Sequence, residues 1–307
     1  MLLPPFDQAQ QLFRGNLHGH STHSDGQLSA AAVVEHYAGA GYDFTCLSDH
    51  LWGSSYFAAD TILDTSDLDR DDFITITSAE LHCRGKLYDQ DGLWHIVANG
   101  LPVDFACATE DETAPELITR AIEAGAYVTI AHPEWYGMTS DEAMTIANAH
   151  GVEIYNHSCA VTSARGSGIA AADLLLNNDK RISFTATDDS HFTGGDWSGG
   201  WVYVAADNLN AEEIVSALKA GRHYSSSGAT FNYIALEGDT LIIDCNPVAS
   251  ITISGQGHLA LHQQGRNLTY AEFDLSGFKS NYFRVTIRDH CGGMAWSNPY
   301  FRDTLND

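Results

Sequence analysis

Short apolar segments alternate with longer amphipathic segments over the first two thirds of the chain. The short segments are rich in β-branched and aromatic residues, which is typical of buried parallel strands. They span Asn16–His20, Phe44–Ser48, Phe73–Ser78, Trp94–Asn99, Tyr127–Ala131, Val152–Asn156, Ile182–Thr187 and Trp201–Ala205.

Helices are predicted between many of these strands. Capping residues precede them and glycines follow several of them, as is usual at helix ends. The predicted helices are Ala30–Ala40, Leu117–Ala124, a helix after Thr139-Ser140-Asp141-Glu142 that ends near Gly151, and Ala211–Ala220. This alternation predicts βα units whose parallel sheet is closed or nearly closed.

The last third has a different pattern, in which alternating strands are separated by turns rich in Gly, Asn and Ser. The predicted strands are Phe231–Leu236, Thr240–Asp244, Ser250–Ser254, Ala271–Leu275 and Tyr282–Ile287. Such a pattern favours a small antiparallel β module. We therefore predict a barrel domain over residues 1–224 and a small β-sandwich-like module over residues 225–307.

Composition narrows the class of protein. The 307 residues include 40 Asp and Glu against 15 Lys and Arg, a formal net charge of −25, which argues against binding to duplex nucleic acid or to an anionic membrane. No apolar run reaches the length of a membrane span, and the first residues lack the pattern of a secretory signal. We expect a cytoplasmic protein with a small-molecule substrate. Its oligomeric state is left open.

Histidines and acidic residues recur where the predicted strands end. These candidate metal ligands are His18, His20, Asp25, His50, Glu80, His132, His157, Asp189 and His191. In a βα barrel the carboxyl ends of the strands converge on one rim, so residues far apart in sequence would meet there. For the sixth strand, Asn156 is an alternative to His157.

Nine candidate ligands are more than one ion can use, so two or three divalent ions are predicted. A mixture of imidazoles and carboxylates suits zinc, manganese or iron. A bridging carboxylate such as Glu80 would hold neighbouring ions close together. Such a cluster can acidify a bridging water and bind phosphate oxygens.

The ordered motifs resemble the PHP (polymerase and histidinol phosphatase) superfamily. They are His-x-His from His18, Ser-Asp-Gly around Asp25, Ser-Asp-His at His50, Ala-Glu at Glu80, Ala-His-Pro at His132 and Asp-x-His at Asp189. The resemblance implies a distorted (βα)7 barrel, which we expect to be followed by the antiparallel β module, and a trinuclear metal site. By this resemblance one ion would be held by His18, His20, Glu80 and Asp189, a second by Glu80, His132 and His157, and a third by Asp25, His50 and His191.

A narrower resemblance covers more of the chain. It rests on Glu153-Ile154-Tyr155-Asn156, Ala186–Phe192, Gly221–Tyr224 and Ala295–Pro299, which look like a bacterial branch that includes carbaryl-type ester hydrolases. The β tail fits that branch. Because the branch is not uniformly specific for phosphate, the resemblance leaves the ester class open.

Three residues outside the ligand set are candidates for contact with substrate. His23 lies within the first motif and could deliver a proton, although a solvated loop histidine is the alternative. Arg165 and Arg222 are the best candidates for binding an anionic substrate, because a guanidinium matches phosphate oxygens; surface or helix-end arginines are the alternatives. His95 is interpreted as a core histidine, and His82 is left open.

Together these features predict a metal-dependent phosphoesterase. It would hydrolyse a small phosphomonoester or nucleotide-like substrate through a metal-bridging hydroxide. One alternative is a carboxylic or carbamic ester hydrolase that uses the same ions, and another is a metal-binding or sensing module without turnover.

Overall fold

The computed structural model describes residues 1–8, 10–53 and 56–305. Its α-helices are α1 Ala30–Gly39, α2 Ala114–Glu123, α3 Ser140–Thr145, α4 His157–Ser163, α5 Ile169–Asn177 and α6 Ala211–Lys219. Its strands are β1 Gln11–Asn16, β2 Phe44–Leu47, β3 His50–Leu51, β4 Ile74–Arg84, β5 Leu93–Asn99, β6 Tyr127–Ile130, β7 Gly151–Asn156, β8 Ser183–Thr187, β9 Trp201–Ala206, β10 His223–Ser226, β11 Phe231–Glu237, β12 Thr240–Ser254, β13 Ala260–Asp274, β14 Tyr282–Arg288, β15 Met294–Ser297 and β16 Tyr300–Phe301.

A long mixed sheet organises the described residues. Its main strand order is β11-β12-β14-β15-β10-β9-β1-β2-β4-β5-β6-β7-β8. The pairs β1–β2, β2–β4, β6–β7 and β7–β8 are parallel, as predicted, whereas β4–β5, β5–β6 and β1–β9 are antiparallel. The fold is therefore a mixed α/β architecture, and the prediction of a wholly parallel sheet in the first part was wrong.

The antiparallel pairing of β4 with β5 follows from a short connection. Only residues 85–92 separate the two strands, and Gly85 and Gly92 have φ values of 106° and 68° that other residues rarely adopt. A parallel pair would need a crossover of a dozen or more residues. The chain therefore turns back directly and β4 extends beyond the point where the sequence pattern places its end.

The two sides of the first part meet at β8 and β10. His223 Nε2 and Ser225 Oγ both donate to the carbonyl of Phe184, at 3.0 and 2.9 Å, and the Phe184 amide donates to Asn298 Oδ1 at 2.7 Å. These side-chain hydrogen bonds join β8 to the β10 region without a strand ladder. The sheet thus curves back on itself around the residues at its strand ends.

β10 also connects the first part of the chain to the C-terminal strands. It pairs with β9 on one side and with β15 on the other. The C-terminal strands have their own apolar core, which includes Phe231, Ile243 and Val285, while Trp296 packs in the core of the first part. The division after residue 224 falls inside this shared strand and stays a prediction.

In the first part of the chain, helices pack against the sheet. Leu117 and Ile118 of α2 and Leu175 of α5 are fully buried against strand residues such as Val128. This layering places the strand ends, rather than the helices, around the candidate site. Among the described helices, none is long and apolar enough to cross a membrane.

Candidate metal centre

The segment His18-Gly19-His20 follows β1 rather than ending it, because β1 stops at Asn16. Hydrogen bonds nevertheless hold the segment extended, with the Gly19 amide 3.1 Å from Ser48 Oγ and the His20 amide 2.8 Å from the Ser190 carbonyl. A Cβ atom on Gly19 would lie 2.8 Å from Ser190 Oγ, so a larger residue would push the segment away. Both imidazoles are completely buried.

Glu80 lies at the centre of the cluster and is completely buried. Its Oε2 atom is 2.7 Å from His50 Nδ1, 3.4 Å from His18 Nε2 and 3.6 Å from His20 Nε2. The residue is in the middle of β4, not at its end as predicted, since β4 leaves its pairing with β2 and enters the hairpin with β5. This change of partner turns the carboxylate toward the ends of the neighbouring strands.

The other oxygen of Glu80 faces a second pair of imidazoles. Its Oε1 atom is 2.8 Å from His95 Nδ1 and 3.2 Å from His132 Nε2. One carboxylate therefore has a different set of histidines at each oxygen. That arrangement is what a carboxylate bridging two ions requires.

A third group lies on the outer side of the cluster. Asp25 Oδ1 is 3.5 Å from His50 Nε2 and 3.4 Å from His191 Nε2. Asp189 Oδ1 is 3.0 Å from His20 Nε2 and 3.3 Å from His18 Nε2. Asp189 thus lies beside His18 and His20, and Asp25 lies beside His50 and His191.

These side chains fit divalent metal ions on two counts. Five buried atoms of the cluster have no hydrogen-bond partner, namely His18 Nε2, His20 Nδ1, Asp25 Oδ1, Glu80 Oε2 and His132 Nδ1. Buried polar atoms are normally satisfied, so this concentration of unsatisfied ones fits a site that binds cations. Three groups of side chains, His20-Asp25-His50-His191, His50-Glu80-His82-His95 and His18-His20-Glu80, each offer ligand atoms that lie within 4.8 Å of one another.

The electrostatics of the cluster also favour bound cations. Burial would raise the pKa of Glu80, but His50, His95 and His18 outweigh it and hold that pKa well below its ordinary value. Burial likewise lowers the pKa of His18, yet Asp189, Glu153 and Glu80 raise it well above the usual range. The Glu80 carboxylate is therefore held in the ionised form that binds a metal ion.

Glu153 orients several members of the cluster without itself facing the cavity. Its Oε1 accepts from His18 Nδ1 at 2.7 Å and from Thr187 Oγ1 at 2.8 Å, and its Oε2 accepts from the His132 amide at 2.7 Å and from Asn156 Nδ2 at 2.9 Å. The bond to His18 Nδ1 leaves the Nε2 lone pair free toward Glu80. The bond to the His132 amide holds a residue whose φ of 22° is unfavourable for a side chain.

Two further buried carboxylates fix the loops around the cluster. Asp49 accepts hydrogen bonds from both the amides and the hydroxyls of Ser21 and Ser24. Asp188 accepts from the Tyr37 hydroxyl and from the amides of residues 198–200. Asp49 and Asp188 therefore support the loops that carry the cluster.

His157 does not join the cluster, contrary to the prediction. It is the first residue of α4, and its ring nitrogens contact the Tyr155 hydroxyl at 2.9 Å and the Gly195 carbonyl at 3.0 Å. Asn156 is not a direct alternative, since its Oδ1 caps α4 at the Cys159 amide and its Nδ2 donates to Glu153 and Asp189. β7 ends at Asn156, as predicted, but Asn156 also caps α4, so His157 is the first residue of the helix.

His95 takes the place that was assigned to His157, although the sequence interpretation set it aside as a core residue. In the β4–β5 hairpin His95 is directly opposite His82, and His82 is two residues from Glu80, so all three share one face of the sheet. His82 Nε2 lies 2.8 Å from His50 Nδ1, while its Nδ1 bonds the Trp94 carbonyl. The two glycines of the turn, with alternation on either side, were the signal that could have identified this hairpin.

The three candidates for substrate contact lie outside the pocket. His23 Nε2 bonds the carbonyl of Thr61 at 2.8 Å. Arg222 contacts Gln10 and Asp7 beside the start of β10, away from the strand ends that carry the cluster. Arg165 is exposed, with Nη1 3.5 Å from the Trp135 carbonyl. The structure does not bring His23, Arg165 or Arg222 to the cluster.

A pocket of about 380 Å³ opens above the cluster. Its floor is formed by cluster members and its walls by residues from the β4–β5 turn, α4 and two loops. The lining residues are Asp25, His50, Tyr56, Phe57, Glu80, Asp89, Gln90, Asp91, Leu93, His95, His132, Trp135, Ser158, Cys159, Thr162, Asp189 and His191. Its size suits a small molecule rather than a polymer.

Comparison with solved structures identifies the fold. A two-domain protein from Bacteroides vulgatus, described as containing a predicted PHP-like metal-dependent phosphoesterase, is 16% identical, with 95% of this chain and 96% of that one covered and a TM-score of 0.53. This likeness extends over nearly the whole of both chains. The chain thus has a fold similar to that of a protein described as PHP-like, which is the kind of fold that the motif resemblance implies.

Two other solved structures are similar over part of the chain. A protein from Bifidobacterium adolescentis, provisionally named a metal-dependent phosphoesterase, is 13% identical over 70% of this chain and 96% of its own, with a TM-score of 0.42. An amidohydrolase from Chromobacterium violaceum, solved with sulfate and without metal, is 14% identical over 59% of this chain and 89% of its own, with a TM-score of 0.43. Nothing is concluded from these two. No family model and no curated protein matches the chain.

Proposed function

We propose that this protein is a hydrolase of the PHP superfamily that uses two or three divalent ions to cleave a small phosphoester. The observation that carries the proposal is the position of Glu80, whose two oxygens face separate sets of imidazoles at the floor of a small-molecule pocket. A single buried carboxylate that served only the fold would be satisfied by hydrogen bonds, as Glu153 is.

Each ion would have a distinct set of ligands. The first would be held by His18, His20, Glu80 and Asp189, the second by Glu80, His95 and His132, and the third by Asp25, His50 and His191. When bound, the ions would supply Lewis acidity, acidify water in the pocket and offset the charge of a phosphoryl group. Zinc, manganese and iron suit these donors.

The chain's own residues would position the reacting groups. Hydrolysis forms a bond between a water oxygen and phosphorus, breaks the bond to the ester oxygen and delivers one proton to the leaving alcohol. His191 lines the pocket and donates Nδ1–H to the Asp189 carbonyl at 2.9 Å, so its Nε2 faces Asp25. Trp135 and Leu93 would shield the ester from bulk water.

A second candidate function is hydrolysis of a carboxylic or carbamic ester on the same ions. It is favoured by the walls of the pocket, which include Phe57, Leu93 and Trp135 but neither lysine nor arginine among the described lining residues. Such esters need no cationic side chain for binding. They would be distinguished from phosphoesters by their rates on the metal-loaded protein.

The proposal is tested by loading the metal-free protein with manganese, zinc or iron and assaying 4-nitrophenyl phosphate, bis(4-nitrophenyl) phosphate, 4-nitrophenyl acetate and an aryl carbamate. We expect turnover of a phosphate ester, at least 100-fold reduced in Glu80→Gln because the bridging charge is lost. Glu123→Gln, an exposed glutamate on α2, is the matched control and should behave as wild type.

Three outcomes would count against the proposal. Turnover of the acetate or carbamate alone would favour the second candidate. Metal binding without turnover of any ester would favour a sensing or binding module. Full activity of rigorously metal-free protein, or wild-type rates in Glu80→Gln, would refute metal-dependent hydrolysis.

A further inference from the structure

The walls of the pocket carry acidic residues that are not among the candidate metal ligands. We infer that the ester bound here carries no negative charge beyond its scissile group, and that its alcohol part is apolar and either uncharged or cationic. This inference rests on the proposed function, because it assumes that an ester is cleaved above Glu80. It adds the charge class of the rest of the substrate.

One wall is an acidic lip on the turn between β4 and β5, formed by Asp89, Gln90 and Asp91. The turn is built rather than loose, since Asp89 Oδ2 accepts hydrogen bonds from the amides of Asp91 and Leu93 at 3.0 and 2.8 Å. The Asp91 carboxylate is exposed and lines the pocket. A substrate therefore meets a fixed negative charge at the entrance.

Lys86, in the same turn, is directed away from the pocket. Lys86 is buried, with Nζ 3.0 Å from Glu142 Oε1 and also bonded to the carbonyls of Leu87 and Tyr136. Glu142 additionally accepts from the Leu87 amide at 2.9 Å. This buried pair anchors the turn to α3 and leaves the charge of Asp91 without a basic partner in the pocket.

The remaining walls are neutral. Ser158, Cys159 and Thr162 of α4 contribute one side, and Phe57 and Trp135 contribute aromatic surface. Aromatic and aliphatic walls of this kind bind apolar groups or cations.

Cations elsewhere in the described chain do not compensate for the acidic lip. Arg84, close in sequence, pairs with Glu110 on the surface at 2.7 Å. Arg165 is not among the lining residues, and its Nη1 atom lies 3.5 Å from the carbonyl of Trp135, which is one of them. Bound ions would offset the charge of the scissile group only. A second anionic group on the substrate would face Asp91 with neither lysine nor arginine among the described lining residues, and like charges brought together in this way are disfavoured.

The test compares two esters of similar size on the metal-loaded protein, phenyl phosphate and 4-carboxyphenyl phosphate, together with 4-(aminomethyl)phenyl phosphate. We expect kcat/KM for the carboxylated ester to be about 10-fold lower or more than for the other two. Asp91→Lys should reduce or reverse that ratio. Asp207→Lys, an exposed aspartate after β9, is the matched charge-reversal control and should leave the ratio unchanged.

Equal rates for the three esters, a preference for the carboxylated ester, or an unchanged ratio in Asp91→Lys would overturn the inference. So would a loss of carboxylated-ester turnover alone in Arg165→Ala, since that would assign an anion site. If only carboxylic esters are cleaved, the phosphoester proposal has failed. The charge inference is then tested by the same comparison with phenyl acetate and 4-carboxyphenyl acetate. If no ester is cleaved, both fail together.

Discussion

Buried carboxylates fall into two kinds in this molecule, and hydrogen bonding separates them. Glu153 and Asp188 are surrounded by donors, each accepting four hydrogen bonds from named protein groups. Glu80 has an oxygen without a hydrogen-bond partner although imidazoles surround it. The first kind fixes neighbouring residues, and the second is available to cations.

Glu153→Gln tests the orienting role. An amide can accept on one side only, so the variant would lose its bonds either to His18 and Thr187 or to His132 and Asn156. We expect metal affinity to fall about 10- to 100-fold, as is typical when a residue that orients a ligand is changed. Calorimetric titration of the metal-free protein with zinc measures this directly, with circular dichroism as the check on folding.

Glu212→Gln, an exposed glutamate at the start of α6, is the matched control. Wild-type zinc affinity in Glu153→Gln would mean that His18 and His132 keep their orientation without the carboxylate. A merely structural role would lower the melting temperature while leaving the affinity of the folded fraction intact.

Much of the cluster was predictable residue by residue because its members lie in short, recognisable motifs. His18, His20, Asp25, His50, Glu80, His132, Asp189 and His191 converge as the ordered set predicts. Whether they bind ions stays a prediction. The sequence interpretation chose His157 as a candidate ligand and set His95 aside, whereas the structure brings His95 to the cluster. The choice between them depends on where a strand ends and on which residues are opposite each other in a hairpin. Neither is encoded in the immediate neighbours of a histidine.

At the scale of elements, β4 determines the geometry of the site. Its first half pairs in parallel with β2, and its second half pairs antiparallel with β5. Glu80 lies just after this change and His95 is brought in by it. The sequence pattern located both strands, although it ended β4 at Ser78 instead of Arg84. It could not give their direction, because apolar alternation is the same in parallel and antiparallel strands. The short helices α4 and α5 were missed, since Ser-, Thr- and Gly-rich segments around them resemble loops.

The burial of His223 in β10 predicts that the protein becomes less stable at acid pH. His223 is completely buried there, donates Nε2–H to the Phe184 carbonyl and has no partner at Nδ1, and burial lowers its pKa from 6.5 to about 4. In the unfolded chain His223 takes up a proton below about pH 6.5. In the folded protein it stays neutral until the pH approaches about 4. Stability is unaffected above that pH and falls as the pH drops toward 4, by up to about 3 kcal/mol from this residue.

His223→Gln removes the titration while its amide nitrogen can still donate to Phe184. We expect the free energy of unfolding, measured by urea denaturation between pH 7 and pH 4, to fall less steeply in the variant than in wild type. His258→Gln, at an exposed position between β12 and β13, is the control and should keep the wild-type slope. Parallel pH profiles for wild type and His223→Gln would show that His223 is not the titrating group.

At the scale of the whole molecule, a continuous sheet links the candidate site to the C-terminal strands. The fold is similar to that of a two-domain protein described as PHP-like, over nearly the full length of both chains. The separation of the C-terminal strands as a module could not be located from sequence, because β10 pairs with both parts. A change in the hydrophobic pattern along the chain shows where the spacing of the strands changes. It does not show where the hydrogen bonding between neighbouring strands ends.

The buried, unsatisfied atoms of the cluster also predict a global effect of metal removal. Ions that bind the folded protein but not the unfolded chain raise stability by mass action, by about 2.7 kcal/mol at a free-ion concentration 100 times the Kd. We expect manganese or zinc to raise the melting temperature of the metal-free protein and a chelator to reverse the change. Glu80→Gln should show a much smaller shift, and an equal shift in that variant would place the stabilising ions elsewhere.

The account depends on a multinuclear cluster organised by Glu80, and counting the ions tests this most directly. The measurement is a titration of rigorously metal-free protein with manganese or zinc, with bound metal per chain verified by elemental analysis after gel filtration. We predict at least two tightly bound ions per chain in wild type and in Glu123→Gln, and a loss of at least one in Glu80→Gln. One ion or none in wild type, or an unchanged number in Glu80→Gln, would contradict the account.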